Sequence, residues 1–460
     1  MTINDSLESR KSPSLGIHYY ADTLHYREKD LQLWVPQMVN IGISSIVLLS
    51  PLQRAIPEGF IRGLIEAGIT PIIHLKSSLP NTMDVDTLNL LFNNYARWGA
   101  KYVIIFDRPN DRSSWHPTTW LQKDLIERFT EEFLLIAKTM LRYDLIPVFP
   151  PLEPGGSYWD TAFLRSTLEG LKRRNESGLL EKLVISSYVW HWNRSLNWGA
   201  GGPMRWAGAK PYFTPENEQD QRGFRIFEWY DAICNAVFGR SFPQIALGAG
   251  CPMNPGELRE EKDVEKLSLH TNRLFDLYRL VMEDEVIDSY SHNKLSGFPK
   301  YISSVNFYNL TAVAESKEAW LAWFDEDGQE REIVKRIRAY QPMPKTMEEG
   351  MKQLKQEEDV PSSIRDLALV SHPIKHYVLL PTYSWGISDW HLDVIRPFVK
   401  KHSVTVGFSV EEAMFAQKVT VIGNEQVFSD QYLTKLRQSG CEVERIDGDG
   451  TTIASILSMR

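Results

Sequence analysis

Residues 102–149 read YVIIFDRPNDRSSWHPTTWLQKDLIERFTEEFLLIAKTMLRYDLIPVF. Two short apolar runs, Tyr102–Phe106 and Ile146–Phe149, stand on either side of an amphipathic stretch, Leu121–Tyr143. A nearly continuous apolar run is typical of a parallel strand that helices cover on both faces, whereas the amphipathic stretch has the apolar spacing of a surface helix. We therefore predict a strand, a helix and a second strand parallel to the first.

The same alternation of apolar runs and amphipathic stretches extends from residue 16 to residue 307. Six further runs predict strands: Gly16–Tyr20, Ser45–Ser50, Pro71–Leu75, Leu183–Tyr188, Gln244–Leu247 and Ser304–Phe307. Eight strand–helix units over roughly 330 residues fit an α/β fold of the (β/α)8 type, the TIM barrel. The alternation is also consistent with a doubly wound open sheet, and the number of units favours the barrel.

A second, smaller domain follows the predicted barrel. Residues 341–373 are rich in charge and contain several prolines, which is typical of an interdomain linker. From residue 374 the alternation restarts and predicts a small parallel α/β, Rossmann-like module. We therefore divide the chain into an N-terminal tail (1–14), the barrel (15–340), the linker (341–373) and the module (374–460).

Composition excludes several classes of protein. The net charge is −8 and no run of Lys and Arg dominates any segment, which argues against a nucleic-acid partner. The three cysteines are too scattered for a disulfide framework or a metal site, and the glycine turn at Gly423 lacks the spacing of a dinucleotide fingerprint, so we expect neither a metal nor another cofactor. The sequence says nothing of the oligomeric state.

The expected location in the cell rests on the absence of two kinds of apolar segment. The chain begins without the apolar segment of a signal peptide, and no apolar run approaches the roughly 20 residues that span a bilayer. The default expectation is therefore a cytoplasmic protein without a membrane span. Association with the cell surface would need an export route other than Sec.

A barrel of this type carries its functional site where the strands end, so polar residues at those positions are the candidates. The strand ends supply His18, His74, Asp107, Glu153 and Tyr188, with Asn306 on the last strand. Each residue by itself is more often a loop or capping residue, and their recurrence at the same end of successive strands favours a site.

The fourth predicted strand ends in Phe106-Asp107-Arg108-Pro109-Asn110, and the sequence Trp320–Gly328 (WLAWFDEDG) precedes a terminal helix. With the strand–helix alternation, these segments resemble the clan A glycoside hydrolases over residues 15–340. In that family Asn-Glu-Pro, often followed by Asn, ends strand four and supplies the acid/base, and a second Glu ends strand seven as the nucleophile. The resemblance therefore implies a TIM barrel that acts on glycosidic bonds, with Arg108 and Asn110 in contact with the substrate.

The sequence departs from that family at both catalytic positions. Arg108 stands where the family has its acid/base, and a guanidinium keeps its proton at any relevant pH. The seventh strand ends in Gly248-Ala249-Gly250, without a carboxylate. Since hydrolysis by this family needs two carboxyl groups, we expect a degenerate catalytic site.

Another carboxylate pair is a candidate for catalysis. Asp107 and Glu153 follow adjacent strands, so both could face one cleft and serve as a non-standard catalytic pair. The alternative is structural: Asp107 pairs with Arg108 or Arg112, and Glu153 caps the Pro-Gly-Gly turn that follows it.

The loop after the sixth strand favours a binding function. It is long, aromatic and rich in glycine, and it contains Trp190, Trp192 and Trp198. Sugar rings present apolar faces that stack on aromatic side chains, and a concave aromatic site with a few polar groups is the usual design for small ligands. The alternative is that these tryptophans form the core of a lid.

The C-terminal module also resembles a known family. The segments Val419–Asn424 (VTVIGN) and Val443–Gly448 (VERIDG), separated by a predicted helix, are similar to the repeat that binds the cell wall in bacterial surface proteins. One copy is present where the family usually has three. The resemblance implies an affinity for cell-wall glycan.

Three functions follow from these features. The favoured one is a glycoside-hydrolase-like barrel that binds polysaccharide or cell-wall glycan without cleaving it. The second is an active glycosidase that uses Asp107 and Glu153, so the sequence leaves open whether the protein is an enzyme. The third is a structural or assembly component in which the barrel is a scaffold.

Overall fold

The computed structural model describes residues 12–283, 285–289, 291–340, 372, 374–381, 389–402, 404–425 and 427–459. They fall into two compact units, one up to residue 340 and one from residue 372. The predicted linker 341–373 lies outside the described residues except for residue 372, and so do residues 1–11 of the predicted N-terminal tail. The two units are described separately.

The first unit is a closed barrel of eight parallel strands. The first barrel strand pairs with the second and with the last, and each of the six strands between them lies beside the barrel strands that precede and follow it in the chain. The barrel strands are β1 (Ser14–His18), β2 (Ser45–Leu49), β3 (Thr70–Leu75), β4 (Tyr102–Ile105), β5 (Ile146–Phe149), β6 (Val184–Tyr188), β7 (Gln244–Ala249) and β10 (Ile302–Phe307). The closed sheet confirms the predicted (β/α)8 fold and excludes the doubly wound alternative.

Helices follow the strands, and the longer ones cover the outside of the barrel. They are α1 (Glu28–Asn40), α2 (Glu58–Glu66), α3 (Val85–Arg97), α4 (Pro117–Trp120), α5 (Leu125–Arg142), α6 (Asp160–Arg173), α7 (Ser177–Lys182), α8 (Gly202–Arg205), α9 (Ile226–Phe238), α10 (Val264–Met282) and α11 (Glu332–Ala339). Helix α5 shows why they form: Phe129, Phe133, Ile136 and Met140 recur every three or four residues and are buried, so they make one apolar face.

Alternation along each strand separates two cores. Val47, Ile72, Ile104, Val148 and Ile245 belong to one cluster that fills the barrel interior. The residues between them on the strands belong to a second, larger cluster packed under the helices. Side chains two positions apart share a face of a strand. A residue at a strand end that stands two positions after an interior residue therefore points into the barrel mouth.

Two local features differ from the sequence prediction. The long helix predicted over Leu121–Tyr143 begins at Leu125, since Asp124 has a left-handed backbone with φ of 61° that separates it from α4. A short antiparallel hairpin of β8 (Glu285–Ile287) and β9 (Lys294–Ser296), which the sequence pattern did not indicate, precedes the last barrel strand.

The second unit is a four-stranded parallel sheet with helices, as predicted for the C-terminal α/β module. The order in the sheet is β12-β11-β13-β14, and the strands are β11 (Ile374–Leu379), β12 (Thr405–Gly407), β13 (Ala416–Ile422) and β14 (Glu442–Ile446). The helices are α12 (Asp389–His402), α13 (Val410–Ala413), α14 (Asp430–Gln438) and α15 (Gly450–Ser458). Two apolar clusters give this unit its own core.

In neither unit does a described helix combine the length and the apolar character needed to cross a membrane.

Candidate functional site

The carboxyl ends of the barrel strands surround a pocket of about 240 Å³, which we call the central pocket. Strands β1, β3 and β6 bring His18, His74 and Tyr188 to it, each at or near the end of its strand. The central pocket is lined by His18, Tyr19, Tyr20, Ala21, Val47, Leu49, His74, Lys76, Asp107, Arg108, Tyr188, Trp190, Asn254, Pro255, Gly256, Tyr308 and Glu318. Most of its polar groups therefore come from positions that follow strands.

Asp107 is held in the central pocket by hydrogen bonds and cations. The Tyr188 hydroxyl donates to Asp107 Oδ1 over 2.6 Å, and Lys76 Nζ lies 3.2 Å from Oδ2. Burial by itself would raise the pKa of this carboxyl. The positive charge of Lys76, together with Arg108 and the Tyr188 hydroxyl, outweighs the effect of burial, so the pKa of Asp107 lies well below its usual value. Asp107 is therefore an ionised hydrogen-bond acceptor at neutral pH.

The backbone on both sides of Asp107 is unusual. Phe106 has φ of 71° and Arg108 has φ of 51°, both in the left-handed region that costs a residue with a side chain about 1–2 kcal/mol. Such conformations persist where the surrounding structure fixes them, and they are concentrated at functional sites. The Arg108 N–H is fixed in this way by the carbonyl of Pro151, at 2.9 Å.

His18 and His74 are neutral in the central pocket. Burial lowers the pKa of His18 to about 3 and that of His74 to about 4, and Lys76 adds to both shifts. The Gly248 N–H donates to His18 Nε2 over 3.1 Å, so this ring carries its proton on Nδ1. His74 Nε2 donates to the Phe106 carbonyl over 2.9 Å, which leaves its Nδ1 as an acceptor. The two rings thus offer one donor and one acceptor with no charge.

Glu153 lies beyond Arg108, in a neighbouring pocket of about 540 Å³. Arg108 Nη1 donates to Glu153 Oε2 over 3.1 Å, and Asn254 Nδ2 donates to the same oxygen over 3.4 Å. Burial raises the pKa of this carboxyl to about 7 although Arg108 opposes the shift. Glu153 is thus near its titration point at neutral pH, unlike Asp107.

Arg108 connects the two carboxylates. Its guanidinium contacts Asp107 Oδ2 at 3.4 Å and Glu153 Oε2 at 3.1 Å. With the width of the guanidinium these contacts place the two oxygens at most about 9 Å apart, within the range of carboxyl pairs in glycosidases. Yet the group between them is a permanent cation.

Aromatic rings form one wall of the central pocket. Tyr188 and Trp190 are stacked, with ring centroids 4.5 Å apart and planes inclined by 17°, and Trp192 packs edge-on against Trp190 at 6.2 Å. Tyr308 approaches the His18 ring at 5.5 Å. Trp190 is 1% exposed and Tyr188 is 7% exposed, so their stack is a buried wall beside Asp107 and not an open platform.

The structure brings together most of the predicted site residues. His18, His74, Asp107, Arg108, Tyr188 and Trp190 line the central pocket, while Arg108, Glu153 and Trp192 line its neighbour.

Three predicted residues lie elsewhere or have other contacts. Asn306 is wholly buried below the central pocket, where it bonds to Ser45 and to the carbonyl of Ala246. Trp198 is half-buried, donates to Asp220, packs against the guanidinium of Arg194 and lines neither pocket. Asn110 is wholly buried, and its side-chain amide bonds to the backbone of the loop after β5, which makes it a positioning residue.

Sequence reasoning missed Lys76, Asn254 and Tyr308. Lys76 had a usable signal, because it stands two positions after His74 and four after the interior residue Ile72. Asn254 comes from the loop after β7, and nothing in the spacing of that loop indicates that it reaches Glu153. Among the described residues, no three His, Cys, Asp or Glu side chains converge as a metal site would require.

Comparisons with known proteins find structural similarities but no match by sequence. No protein-family model matches the chain, and no curated protein matches its sequence. Solved structures similar to it include a beta-xylosidase from Caulobacter crescentus CB15, which is 10% identical over 71% of this chain and 68% of the xylosidase, with a TM-score of 0.43. Beta-glucuronidase 2 from Bacteroides uniformis is 12% identical over 81% of this chain and 38% of the glucuronidase, with a TM-score of 0.42.

A sugar epimerase is also among these structures. The D-psicose 3-epimerase from Clostridium cellulolyticum H10 is 10% identical over 70% of this chain and 96% of the epimerase, with a TM-score of 0.36. The chain is thus distantly similar in structure to glycoside hydrolases and sugar epimerases. At these identities and TM-scores the similarity does not assign an activity to this chain.

Proposed function

We propose that the barrel binds a saccharide in the central pocket and does not cleave it. One observation carries the proposal: the wall of one concave site combines aromatic rings, among them Tyr188 and Trp190, with a charged acceptor and two neutral histidines. A sugar has apolar ring faces and many hydroxyl groups, so it needs both kinds of surface at once.

The polar groups of the site are suited to hydroxyl groups. Ionised Asp107 accepts, the Lys76 ammonium donates, and the neutral rings of His18 and His74 supply a donor and an acceptor. Hydrogen bonds to charged groups are worth about 1.5–3 kcal/mol each, so Asp107 and Lys76 would contribute most of the polar affinity.

Arg108 supports binding over cleavage. A glycosidase places the scissile bond, and in inverting enzymes also a water molecule, between its two carboxyl groups. Here the guanidinium of Arg108 occupies that place and bonds to both Asp107 and Glu153. A guanidinium does not release its proton, so it cannot replace the acid.

An active glycosidase is the second candidate, and one observation favours it. The pKa of Glu153 is raised to about 7 while that of Asp107 is lowered, and a protonated acid beside an ionised carboxylate is the arrangement that glycosidases use. Cleavage would require Arg108 to leave the space between them when substrate binds.

The nature of the glycan is a finer proposal. The resemblance of residues 419–424 and 443–448 to the cell-wall-binding repeat supports cell-wall glycan as the ligand. In the second unit these residues belong to β13 and β14, which are adjacent parallel strands, and to the turns that follow them.

Binding to an array of immobilised glycans tests the proposal. We expect the wild type to bind at least one neutral glycan and Lys76→Met to weaken that binding about tenfold, which corresponds to roughly 1.4 kcal/mol. Lys138→Met is the matched control, because Lys138 also forms an ion pair, with Glu176 at 2.8 Å, but lies on α5 outside the barrel mouth. Binding equal in all three proteins would contradict the proposal.

The same incubations separate the other candidates. Release of reducing sugar that Asp107→Asn abolishes would favour the glycosidase. No binding to any glycan would leave the barrel as a scaffold.

A further inference from the structure

We propose that the barrel mouth binds an uncharged linear glycan along its length, with at least three sugar units lying across the mouth. This inference rests on the proposed function and adds the class of saccharide to it. It follows from two pockets that flank the central pocket and from the way charges are paired along all three.

The first flanking pocket, which we call the β1–β3 flank, has a volume of about 490 Å³. It is formed by the loops after β1, β2 and β3 and includes Thr23, Leu24 and Gln53. Four residues line both this flank and the central pocket: Ala21, Leu49, His74 and Lys76. The two spaces therefore meet at these residues.

The second flanking pocket is the space of about 540 Å³ that contains Glu153, and we call it the β4–β7 flank. It is formed by the loops after β4, β5, β6 and β7 and includes Ser157 and Trp192. Arg108 and Asn254 line both this flank and the central pocket.

The two flanks lie on opposite arcs of the mouth. In the closed sheet β1, β2 and β3 are consecutive neighbours, and so are β4, β5, β6 and β7. The central pocket lies between the two arcs and borders both. The three spaces therefore lie in a row across the mouth, with Lys76 at one border and Arg108 at the other, and we call this row the groove. A row of adjoining spaces fits a chain of sugar units better than it fits a single sugar.

Charge pairing along the groove favours an uncharged glycan. Lys76 pairs with Asp107 at 3.2 Å, Arg108 pairs with Glu153 at 3.1 Å, and Arg222 in the β4–β7 flank pairs with Asp220 at 2.5 Å. Each cation of the groove thus has a carboxylate partner within the protein. A polyanionic chain would have to displace these partners, at a cost that a neutral chain avoids.

Each flank also presents an apolar side chain to a sugar face. Leu24 in the β1–β3 flank is 70% exposed, and half-buried Trp192 lies in the β4–β7 flank. Apolar groups at both ends of a polar centre match a chain of rings that stack in turn.

The test is calorimetric titration of the whole protein with ladders of one to six units. The neutral ladders are cello-, xylo-, manno-, laminari-, chito- and malto-oligosaccharides, and oligogalacturonides form the acidic ladder. We expect affinity for at least one neutral ladder to rise tenfold or more from one unit to three. We also expect that gain to be the same at 50 mM and 500 mM salt.

Two variants locate the gain at the ends of the groove. Leu24→Ala removes the apolar side chain of the β1–β3 flank and Trp192→Ala removes the aromatic ring of the β4–β7 flank, so each should lower affinity for the trimer at least fivefold and leave the monomer unchanged. The matched controls are Leu135→Ala, at a 63% exposed position of α5, and Trp206→Ala, whose half-buried ring lines none of the three spaces.

The possible failures are distinguishable. A monomer that binds as tightly as the trimer, or a preference for the acidic ladder that salt abolishes, would overturn this inference and leave the proposed function standing. Absence of binding to every ladder at every length would overturn the proposed function itself.

Discussion

Asp107 and Glu153 contact the same guanidinium, yet their surroundings give them different charge states. Asp107 has a second cation, Lys76, and the Tyr188 hydroxyl, and these outweigh its burial. Glu153 has Arg108 as its one ion-pair partner among the described residues, and burial dominates. The positive charge of Lys76 beside Asp107, and the negative charges of Glu257 and Asp111 near Glu153, therefore help to separate a carboxylate that is ionised at neutral pH from a group that titrates near pH 7.

The raised pKa of Glu153 predicts how stability depends on pH. Between the ordinary value of 4.5 and about 7, the folded chain binds more protons at Glu153 than the unfolded chain does, so the free energy of unfolding falls as the pH rises through this window. We expect the wild type to lose up to about 3 kcal/mol relative to Glu153→Gln between pH 4.5 and pH 8.

Urea denaturation at a series of pH values measures this difference. Glu131→Gln, at a position of α5 whose side chain is 69% exposed, is the matched control and should follow the wild type. A constant difference between the wild type and Glu153→Gln across the series would show that Glu153 keeps an ordinary pKa.

Residues at strand ends were predictable to different degrees. The rule that a barrel carries its site where its strands end is enough to place His18, His74, Asp107 and Tyr188 in the mouth, because strand periodicity fixes where each strand ends. The partners of Asp107 were not predictable in the same way. The sequence-based alternatives for its partner were Arg108 and Arg112, whereas the structure adds Lys76, which reaches Asp107 from a neighbouring strand.

At the scale of elements, Asn110 ties the loop after β4 to the loop after β5. Its Nδ2 donates to the carbonyls of Glu153 at 2.8 Å and Tyr158 at 2.9 Å, and its Oδ1 accepts from the Glu153 N–H at 2.8 Å. The side chain thus fixes the backbone that carries the Glu153 carboxylate.

Loss of this link should weaken the fold measurably. Asn110→Ala leaves buried backbone groups of Glu153 without partners, and we expect a loss of about 3 kcal/mol in the free energy of unfolding. Asn235→Ala removes an exposed amide that bonds to the carbonyl of Asp231 on α9 and should cost about 0.5 kcal/mol or less. Equal losses in the two variants, measured by chemical denaturation, would contradict the role given to Asn110.

Elements were predicted where periodicity alone determines them. The barrel strands are short apolar runs, and their order follows once eight of them close into a sheet. The break between α4 and α5 depends on the left-handed backbone of Asp124, and the β8–β9 hairpin has only three residues in each strand. Neither feature leaves enough of a repeating pattern to be predicted from the sequence.

At the scale of the whole molecule, each unit has an apolar core made of its own residues. Leu168 is fully buried in the core under the barrel helices, and Leu436 is fully buried in the core of the second unit.

Because a cooperative transition requires a shared core, we expect two unfolding transitions on heating. Leu436→Ala should lower the free energy of unfolding of the second unit only, and Leu168→Ala should lower that of the barrel only, each by about 2–5 kcal/mol. Differential scanning calorimetry of the full chain and of residues 1–340 alone assigns the transitions, since the fragment should retain the barrel transition. If either substitution shifted both transitions together, the two units would unfold as one and the division of the chain at the linker would not describe its stability.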